Sequence, residues 1–387
     1  MSRLRNERYA RSLRDFLLFA VNFWAASPLI FLKAALSIYS IANELGAPLA
    51  HRKPASSSPV TEGQTMKFRA RLTAALLATL ATVGVSSAQA AEINFITDFG
   101  FNGRHAYFYV AREKGYYKAE GFDVTFVRGQ GSADAIKKVA AGVATFGFAD
   151  AGSLVLARGN DGVPVKLVSV VYAKPPQAIF AIKGSGINSP KDLEGKTVAD
   201  TASSSVRLLF PAFAKAAGID ASKVKWVVAE GSALPSLLAN GRADAICQFS
   251  VGEPLIAAAV APKEVTRINY ADSNLDYYGN GLIASEEMIA KSPDQVKAFV
   301  RATIKGMKDA FANPAEAATI MAKYQKELQP AVIEGETRLV KELAEVKGSL
   351  GHIEPKSIAS TVDVMSANFT LKNPVKPEDL FAPGFID

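Results

Sequence analysis

The stretches "GSADAIKKVAAGVATFGF" (residues 131–148) and "GSALPSLLANGRADAICQF" (residues 231–249) are two versions of one pattern. Each begins with Gly-Ser-Ala, runs through helix-forming residues to a glycine, Gly142 or Gly241, and ends in an apolar segment typical of a strand. Coincidence could supply one tripeptide, but it explains the matching order of elements poorly. The sequence therefore predicts two similar α/β lobes.

The segments around each copy extend the pattern in both directions. The predicted strands are residues 92–97, 123–128 and 144–149 around the first copy, and 197–199, 224–230 and 243–249 around the second. Helices are predicted over residues 106–114 and 203–217, which end at Gly115 and Gly218. Strands that alternate with helices predict parallel pairing in an α/β sheet.

Two segments must carry the chain between the lobes. The apolar residues 165–171 are interrupted before residues 178–182 by Pro175-Pro176, which stiffens the backbone and suits a connector. We place the return crossing near residues 279–281. Residues 92–177 and 282–387 then form lobe 1, and residues 178–281 form lobe 2, with a cleft between them.

Charge and composition exclude several classes of function. The first 90 residues hold eleven of the 44 Lys and Arg residues but four of the 37 Asp and Glu residues, so residues 91–387 are formally neutral. This balance argues against a nucleic-acid partner. The single cysteine, Cys247, excludes an internal disulfide, and three scattered histidines offer no spacing for a metal site.

The basic start at Met66, an uncharged apolar middle and Ala88-Gln89-Ala90 are typical of a secretory signal peptide. We therefore predict a signal peptide over residues 66–90, export to the periplasm and a mature start at Ala91. Residues 1–65 are interpreted as the product of a mis-assigned upstream start. The alternative uses residues 16–32 as a membrane anchor.

The predicted strand ends bring candidate ligand contacts to the cleft, because ligands of open α/β sheets bind beyond the carboxyl ends of strands. Asp98-Phe99-Gly100 occurs at such an end, but the other kinase motifs do not accompany it. The segment 129–134 misses the third glycine of the dinucleotide fingerprint. Ser203–Ser205 opens a helix, where it either caps the helix or holds an anion.

Residues 97–124 ("TDFGFNGRHAYFYVAREKGYYKAEGFDV"), with "GSGINSPKDLEGKTV" and "VGEPLIAA", resemble the superfamily of nitrate, sulfonate, taurine and thiamine-pyrimidine substrate-binding proteins. The resemblance covers nearly all of residues 92–370. It implies a type II-like periplasmic binding protein fold, with two α/β lobes, a two-connector hinge and a ligand cleft. It also implies delivery of a small molecule to an ABC import permease and its ATPase, so that the membrane is reached only through the permease.

Within that superfamily the opening segment is similar to the pyrimidine-binding branch, whose pattern is Leu-Asp-Trp-x-Pro-Asn-x-Asn-His. Asp98, Asn102 and His105 match this pattern, while Phe99 replaces the tryptophan and Arg104 the second asparagine. Glu253 matches a Glu-Pro pair whose carboxylate faces the pyrimidine in that branch.

The branch also contains pyrimidine synthases that use a histidine and a pyridoxal-bearing lysine. By alignment these positions are Ser153 and Ala149 here. Without the lysine this chain cannot form the internal aldimine that such chemistry needs, so we predict a binding protein and no enzyme, with a pyrimidine synthase-like enzyme as the less favoured alternative.

These residues predict a monomeric binding protein for a small heteroaromatic ligand related to the thiamine pyrimidine precursor, without cofactor or metal. Phe99 and Tyr278 would stack on the ring, Glu253 and Asp98 would accept hydrogen bonds from ring amines, and Asn102 and His105 would fix its orientation. The full predicted set is Asp98, Phe99, Asn102, His105, Ser153, Ser203, Ser204, Glu253 and Tyr278. The alternative ligand is a sulfonate, taurine, nitrate or other small organic anion, held by Arg104 and the Ser203–Ser205 helix start.

Overall fold

The computed structural model describes residues 90–345 and 350–386, which form ten strands in two five-stranded sheets. Of the predicted N-terminal segments, residues 1–65 lie outside the described residues, as does the signal peptide except for Ala90. Among the described residues, helices are too short or too polar to cross a bilayer.

The strands alternate with helices along the chain as the sequence predicts. In chain order they are β1 (Ala91–Ile96), β2 (Phe122–Val127), β3 (Phe146–Asp150), β4 (Val165–Val170), β5 (Gln177–Ile182), β6 (Thr197–Asp200), β7 (Lys225–Val228), β8 (Ala245–Phe249), β9 (Val265–Asn269) and β10 (Asn280–Ser285). The first sheet has the order β2-β1-β3-β10-β4, and the second has the order β7-β6-β8-β5-β9.

Both sheets are mixed, and the parallel pairing predicted for the six strands around the two copies of the repeat is confirmed. β1 pairs in parallel with β2 and β3, and β6 pairs in parallel with β7 and β8. β10 lies antiparallel between β3 and β4, and β5 lies antiparallel between β8 and β9. The direction reverses in these two strands because each enters its sheet directly from the other one, without a crossover helix.

The two segments that connect the sheets are hydrogen-bonded to each other. The backbone N–H groups of Val171 and Tyr172 both donate to the carbonyl oxygen of Asn280, at 2.9 and 2.8 Å. The N–H of Gly279 donates to the carbonyl of Tyr172 at 2.9 Å. The connectors predicted near Pro175-Pro176 and Gly279 therefore run side by side as one hinge.

The helices cover the faces of the two sheets. They are α1 (Ala106–Glu113), α2 (Tyr116–Ala119), α3 (Ser132–Ala140), α4 (Ala151–Asp161), α5 (Ser205–Ala217), α6 (Leu234–Ala239), α7 (Glu253–Val260), α8 (Glu286–Lys291), α9 (Pro293–Ala312), α10 (Pro314–Ala322), α11 (Pro330–Ala344), α12 (Pro355–Asn368) and α13 (Pro377–Leu380).

The ends of α5 follow from two residues with distinct backbone preferences. Ser204 has extended backbone angles, and its hydroxyl accepts a hydrogen bond from the N–H of Val206, so it is the N-cap. The helix begins at Ser205, two residues after the predicted start. It ends at Gly218, whose φ of 68° lies in the left-handed region that favours glycine.

The core of the first lobe is rich in phenylalanine. Phe299 of α9 stacks on Phe146 of β3 with ring centroids 4.2 Å apart, and Phe95 of β1 lies 4.4 Å from Phe108 of α1. All four side chains are fully buried. Such aromatic pairs hold α1 and α9 on the sheet and fix the position of the loop that precedes α1.

Helix α11 contacts both lobes. On the first lobe the carboxylate of Glu336 accepts a hydrogen bond from the backbone N–H of Arg104 at 2.8 Å. Its neighbour Gly335 faces the second lobe so closely that a Cβ atom there would lie 3.0 Å from Pro254. The helix therefore spans the two lobes behind the loop that follows β1.

Candidate ligand-binding site

A cavity of about 280 Å³ lies where loops of the two lobes face each other. From the first lobe it is lined by the segments that follow β1 and β2, which include Phe99, Asn102 and Gln130. From the second lobe it is lined by the turn at Glu230 and Gly231. This position beyond the carboxyl ends of parallel strands is where open α/β sheets bind their ligands.

Two half-buried aromatic rings give the cavity an apolar wall. Phe99 lines the cavity, and a Cβ atom placed on Gly231 of the second lobe would lie 2.7 Å from its ring. Phe101 lines the same cavity and lies beneath the guanidinium of Arg128, 4.8 Å from its ring centroid. Flat apolar surfaces of this kind suit a planar ligand.

Three charged side chains surround these rings. Arg128 lies 3.8 Å from the carboxylate of Glu327, a separation typical of a weak and solvent-screened ion pair. Glu230 lines the second-lobe side of the cavity. With one guanidinium and two carboxylates, the lining carries a net negative charge.

A second, narrower crevice of about 10 Å³, room for one water molecule, lies among buried side chains. Arg104, which is 1% exposed, occupies one wall, and Ser204 and Ser205 at the start of α5 line another. Arg104 Nη1 donates to Gln248 Oε1 of β8 at 3.2 Å, across the two lobes. Its guanidinium also lies 5.1 Å from the ring centroid of Phe249. Arg104 is thus a side chain of the first lobe that contacts the second lobe directly.

Asp98 is the buried centre of the network around Arg104. It accepts hydrogen bonds from His105 Nε2 at 2.8 Å, from Asn280 Nδ2 at 2.9 Å and from Arg104 Nη2 at 3.4 Å. Burial by itself raises the pKa of Asp98, but the charge of Arg104 and the hydrogen bond from His105 outweigh burial and lower it. Asp98 is therefore ionised and already engaged by three partners.

The hydrogen bonds of His105 assign its tautomer. The backbone N–H of Asn102 donates to Nδ1 at 3.3 Å, so the ring proton lies on Nε2 and donates to Asp98. Burial lowers the pKa of His105, against the opposing effect of Asp98. The ring is therefore neutral near pH 7 and holds the loop before α1 in place.

A second buried acid lies behind Arg104. Burial raises the pKa of Glu336 to about 7, although the charge of Arg104 opposes this shift. Glu336 accepts from the backbone of Arg104 through Oε2, while Oε1 has no hydrogen-bond partner among the described residues. Its protonation is therefore sensitive to pH in the neutral range.

The predicted residues do not all come together. Phe99 and Asn102 line the main cavity, and Ser204 lines the crevice. Asp98 also borders the crevice, whereas His105 lies in the network beneath it. The carbonyl oxygen of Ser203 accepts from the N–H of Ala133 at 3.3 Å, which is a contact between the lobes.

Three predicted ligand contacts lie away from both cavities. The Ser153 hydroxyl donates to Asp150 at 2.9 Å in the cap of α4. The Glu253 carboxylate is paired with Arg267, on the side of α7 that faces β9. The Tyr278 hydroxyl accepts from the backbone N–H of Glu354, beside the C-terminal helices. Each side chain has a local partner that turns it away from the cleft.

Sequence reasoning missed several residues that line the cavities. Phe101, Arg128, Gln130 and Glu230 line the main cavity, and Gln248 lines the crevice. A signal for two of them was present, since Gln130 and Glu230 directly precede the two Gly-Ser-Ala copies. Equivalent residues of a duplicated unit face one another when the two copies close on a cleft.

Fold and site together define a class of protein, the two-lobed proteins with a periplasmic-binding-protein fold. The alkanesulfonate-binding protein SsuA from Xanthomonas axonopodis pv. citri, solved with MOPS bound, has this fold. It superposes with a TM-score of 0.59 at 15% sequence identity, and the match covers 74% of this chain and 95% of that chain. The chain belongs to the NMT1/THI5-like family, whose model matches residues 102–317.

Three curated relatives are similar to this chain over more than half of its length. The formylaminopyrimidine-binding protein of Halalkalibacterium halodurans is 27% identical over 313 residues, which cover 79% of this chain and 94% of the relative. The riboflavin-binding protein RibY of Chloroflexus aurantiacus is 28% identical over 74% of this chain and 83% of its own length. A 4-amino-5-hydroxymethyl-2-methylpyrimidine phosphate synthase of Schizosaccharomyces pombe is 24% identical over 61% of this chain and 70% of its own length.

Proposed function

We propose that this chain is a periplasmic solute-binding protein that delivers a small heteroaromatic ligand to an ABC import permease and its ATPase. The observation that carries the proposal is the cavity between the lobes, which is walled by Phe99 and Phe101 and lies opposite the turn at Glu230. A hinge of two paired connectors lets such a cavity open and close. The names of the relatives, which bind a formylaminopyrimidine and riboflavin, support a heteroaromatic ligand.

Phe99 acts in this proposal as the stacking surface. Its ring is half-buried, with the guanidinium of Arg104 5.8 Å from the ring centroid and Gly231 against the ring, and a planar ligand stacks on the part of the ring that lines the cavity. Stacking of two aromatic rings contributes about 1 kcal/mol beyond the burial of apolar area. The arrangement therefore favours flat rings over aliphatic ligands of equal size.

The proposal does not include an enzymatic activity. Ala149 and Ser153 occupy the positions aligned with the lysine and histidine that the related synthases use. The Ser153 hydroxyl is hydrogen-bonded to Asp150 in a helix cap, so it serves the fold. A binding role needs only the cavity and the hinge, and a monomer supplies both.

A second candidate ligand is a small organic anion such as a sulfonate. The observation in its favour is the inner crevice, where the guanidinium of Arg104 lies with the first residues of α3 and α5. Helix N-termini and guanidinium groups both attract anions. Asp98 weakens this candidate, because its carboxylate is already paired with Arg104.

Thermal unfolding of the purified protein tests the two candidates. The probes are 4-amino-5-hydroxymethyl-2-methylpyrimidine, a formylaminopyrimidine, riboflavin, an alkanesulfonate and nitrate. A bound ligand at a hundred times its dissociation constant stabilises the folded state by about 2.7 kcal/mol, so we expect at least one ring compound to raise Tm by about 5 °C or more. A rise with the sulfonate or nitrate alone would replace the proposal by the anion candidate.

A substitution of the stacking residue sharpens this test. Phe99→Leu keeps an apolar side chain but removes the flat ring, and we expect it to weaken the ring ligand about five- to tenfold. Phe122→Leu is the matched control, because Phe122 is buried in β2 away from the cavity. Unchanged affinity in Phe99→Leu would contradict the stacking role.

A further inference from the structure

We infer that Glu230 recognises the ligand by accepting a hydrogen bond from an exocyclic amine on its ring. This inference rests on the proposed function and narrows the ligand to amino-substituted heteroaromatic compounds. The sequence predicts Glu253 for this role, and the structure offers Glu230 in its place.

Position is the first support. Glu230 lines the main cavity, and its neighbour Gly231 lies directly against the ring of Phe99. A ligand that stacks on the part of this ring that lines the cavity therefore lies within reach of Glu230, the residue before Gly231. The carboxylate is placed to contact an edge of the ligand ring while Phe99 contacts its face.

Availability is the second support. Asp98 already accepts hydrogen bonds from three side chains, and Glu253 is paired with Arg267. Glu327 lies 3.8 Å from Arg128. The hydrogen bonds and ion pairs recorded among residues 90–345 and 350–386 leave the Glu230 carboxylate unengaged, so its acceptor capacity is open to a ligand.

The internal repeat gives the third support. Gln130 and Glu230 precede the two Gly-Ser-Ala copies and line the same cavity from opposite lobes. The amide of Gln130 can donate to a ring nitrogen or accept from an N–H group, whereas the carboxylate of Glu230 only accepts. The pair therefore suits a ring with both a nitrogen acceptor and an amine donor.

The charge of the lining agrees with this ligand class. Glu230 and Glu327 outnumber Arg128, so the cavity repels a sulfonate or carboxylate and attracts the partial positive charge of an aromatic amine. A ring compound that carries a methoxy group in place of the amine offers no such donor. Its oxygen would face the carboxylate of Glu230 without a hydrogen between them.

The test compares isothermal titration of 4-amino-5-hydroxymethyl-2-methylpyrimidine with titration of its 4-methoxy analogue. Glu230→Gln keeps the size of the side chain and removes its charge. We expect it to weaken the amine about tenfold or more, as the loss of a charge-assisted hydrogen bond requires, and to leave the analogue within about twofold. Glu287→Gln, an exposed position on α8 that pairs with Lys291, is the control and should change neither affinity.

Each outcome decides between the inference and its rivals. Equal affinity of Glu230→Gln and the wild type for the amine would overturn the inference while the proposed function stands. Weakening in Glu253→Gln but not in Glu230→Gln would return the role to Glu253. If the wild-type protein binds neither the amine nor any other ring compound, the proposed function fails, and the inference fails with it.

Discussion

Gly231 of the second lobe lies against the ring of Phe99 of the first lobe, with room for a hydrogen atom but not for a methyl group. A Cβ atom on Gly231 would lie 2.7 Å from two ring carbons, closer than real Cβ atoms approach their neighbours. The φ of Gly231 lies outside the left-handed region, so the glycine is required by this contact and not by its backbone conformation.

Gly231→Ala should therefore obstruct closure without disturbing the fold of either lobe. We expect the affinity for a ring ligand to fall about tenfold and the free energy of unfolding to change by less than about 1 kcal/mol. Titration and urea unfolding measure the two effects. Ser236→Ala, at an exposed position of α6, is the control, and wild-type affinity in Gly231→Ala would show that the lobes close on the ligand elsewhere.

Arg104 links the two lobes and balances the buried charge of Asp98. Removal of one partner from a buried ion pair leaves the other charge uncompensated, so Arg104→Ala should lower the free energy of unfolding by about 3–5 kcal/mol. In the variant the Asp98 carboxylate has lost its cationic partner, so protonation of Asp98 or of His105 becomes more favourable. Protonation relieves the uncompensated charge, so the loss of stability should be larger at pH 8 than at pH 5.5. Urea unfolding at both pH values measures it.

The control for this prediction is an exposed ion pair. Arg338→Ala removes the partner of Glu334 on the surface of α11 and should cost less than about 1 kcal/mol at either pH. If Arg104→Ala is as mild as Arg338→Ala, the network around Asp98 does not depend on the guanidinium.

Glu336 should make stability fall as pH rises. Burial raises its pKa to about 7, above the usual value of 4.5, so between these values the folded protein binds more protons than the unfolded chain. The stabilisation is thus fully present below about pH 4.5 and is lost as pH rises through 7. The shift corresponds to roughly 3 kcal/mol, as an order of magnitude.

Glu336→Gln mimics the protonated acid and should remove this contribution. We expect the variant to gain stability relative to the wild type between pH 5 and pH 8, in urea unfolding at both pH values. A constant difference across this range would assign the pH dependence to other buried acids, such as Asp150 and Asp200, whose pKa values burial raises to about 6.

Gln177 connects both lobes and both connectors at the hinge. Its amide nitrogen donates to Asp150 at 2.7 Å and to Ser205 at 3.2 Å, and its oxygen accepts from the Tyr277 hydroxyl at 3.1 Å. Gln177→Leu leaves these buried groups without their partner and should cost at least about 2 kcal/mol in urea unfolding. Gln325→Leu, which removes a single side-chain bond between the half-buried Gln325 and Tyr109, should cost clearly less.

The sequence was sufficient to predict the two lobes because local rules and the repeat agree. The strand, Gly-Ser-Ala, helix, glycine and strand order appears in both copies, and glycines such as Gly218 end helices where they were expected to. The same rules did not predict that β5 and β10 run antiparallel to their neighbours. Their direction depends on which sheet they join, and local hydrophobic pattern carries no information about that choice.

The site was harder to predict from the sequence for the same reason. The cleft position of Phe99 and Asn102 follows from their place directly after a strand end. Whether the carboxylate of Glu253, the first residue of α7, faces the cleft depends on Arg267 of β9, and Tyr278 turns away because of its contact with Glu354. Side-chain direction after a strand end is decided by such distant partners, which one sequence does not reveal.

The side-by-side connectors have a consequence for how the molecule moves. Hydrogen bonds between residues 171–172 and residues 279–280 hold the two connectors together, so neither can bend without the other. The two lobes therefore rotate about one common hinge axis. The angle between the two lobes is then the main property of the structure that a bound ligand can change. A permease that senses this angle would distinguish the ligand-bound from the ligand-free protein without contacting the ligand.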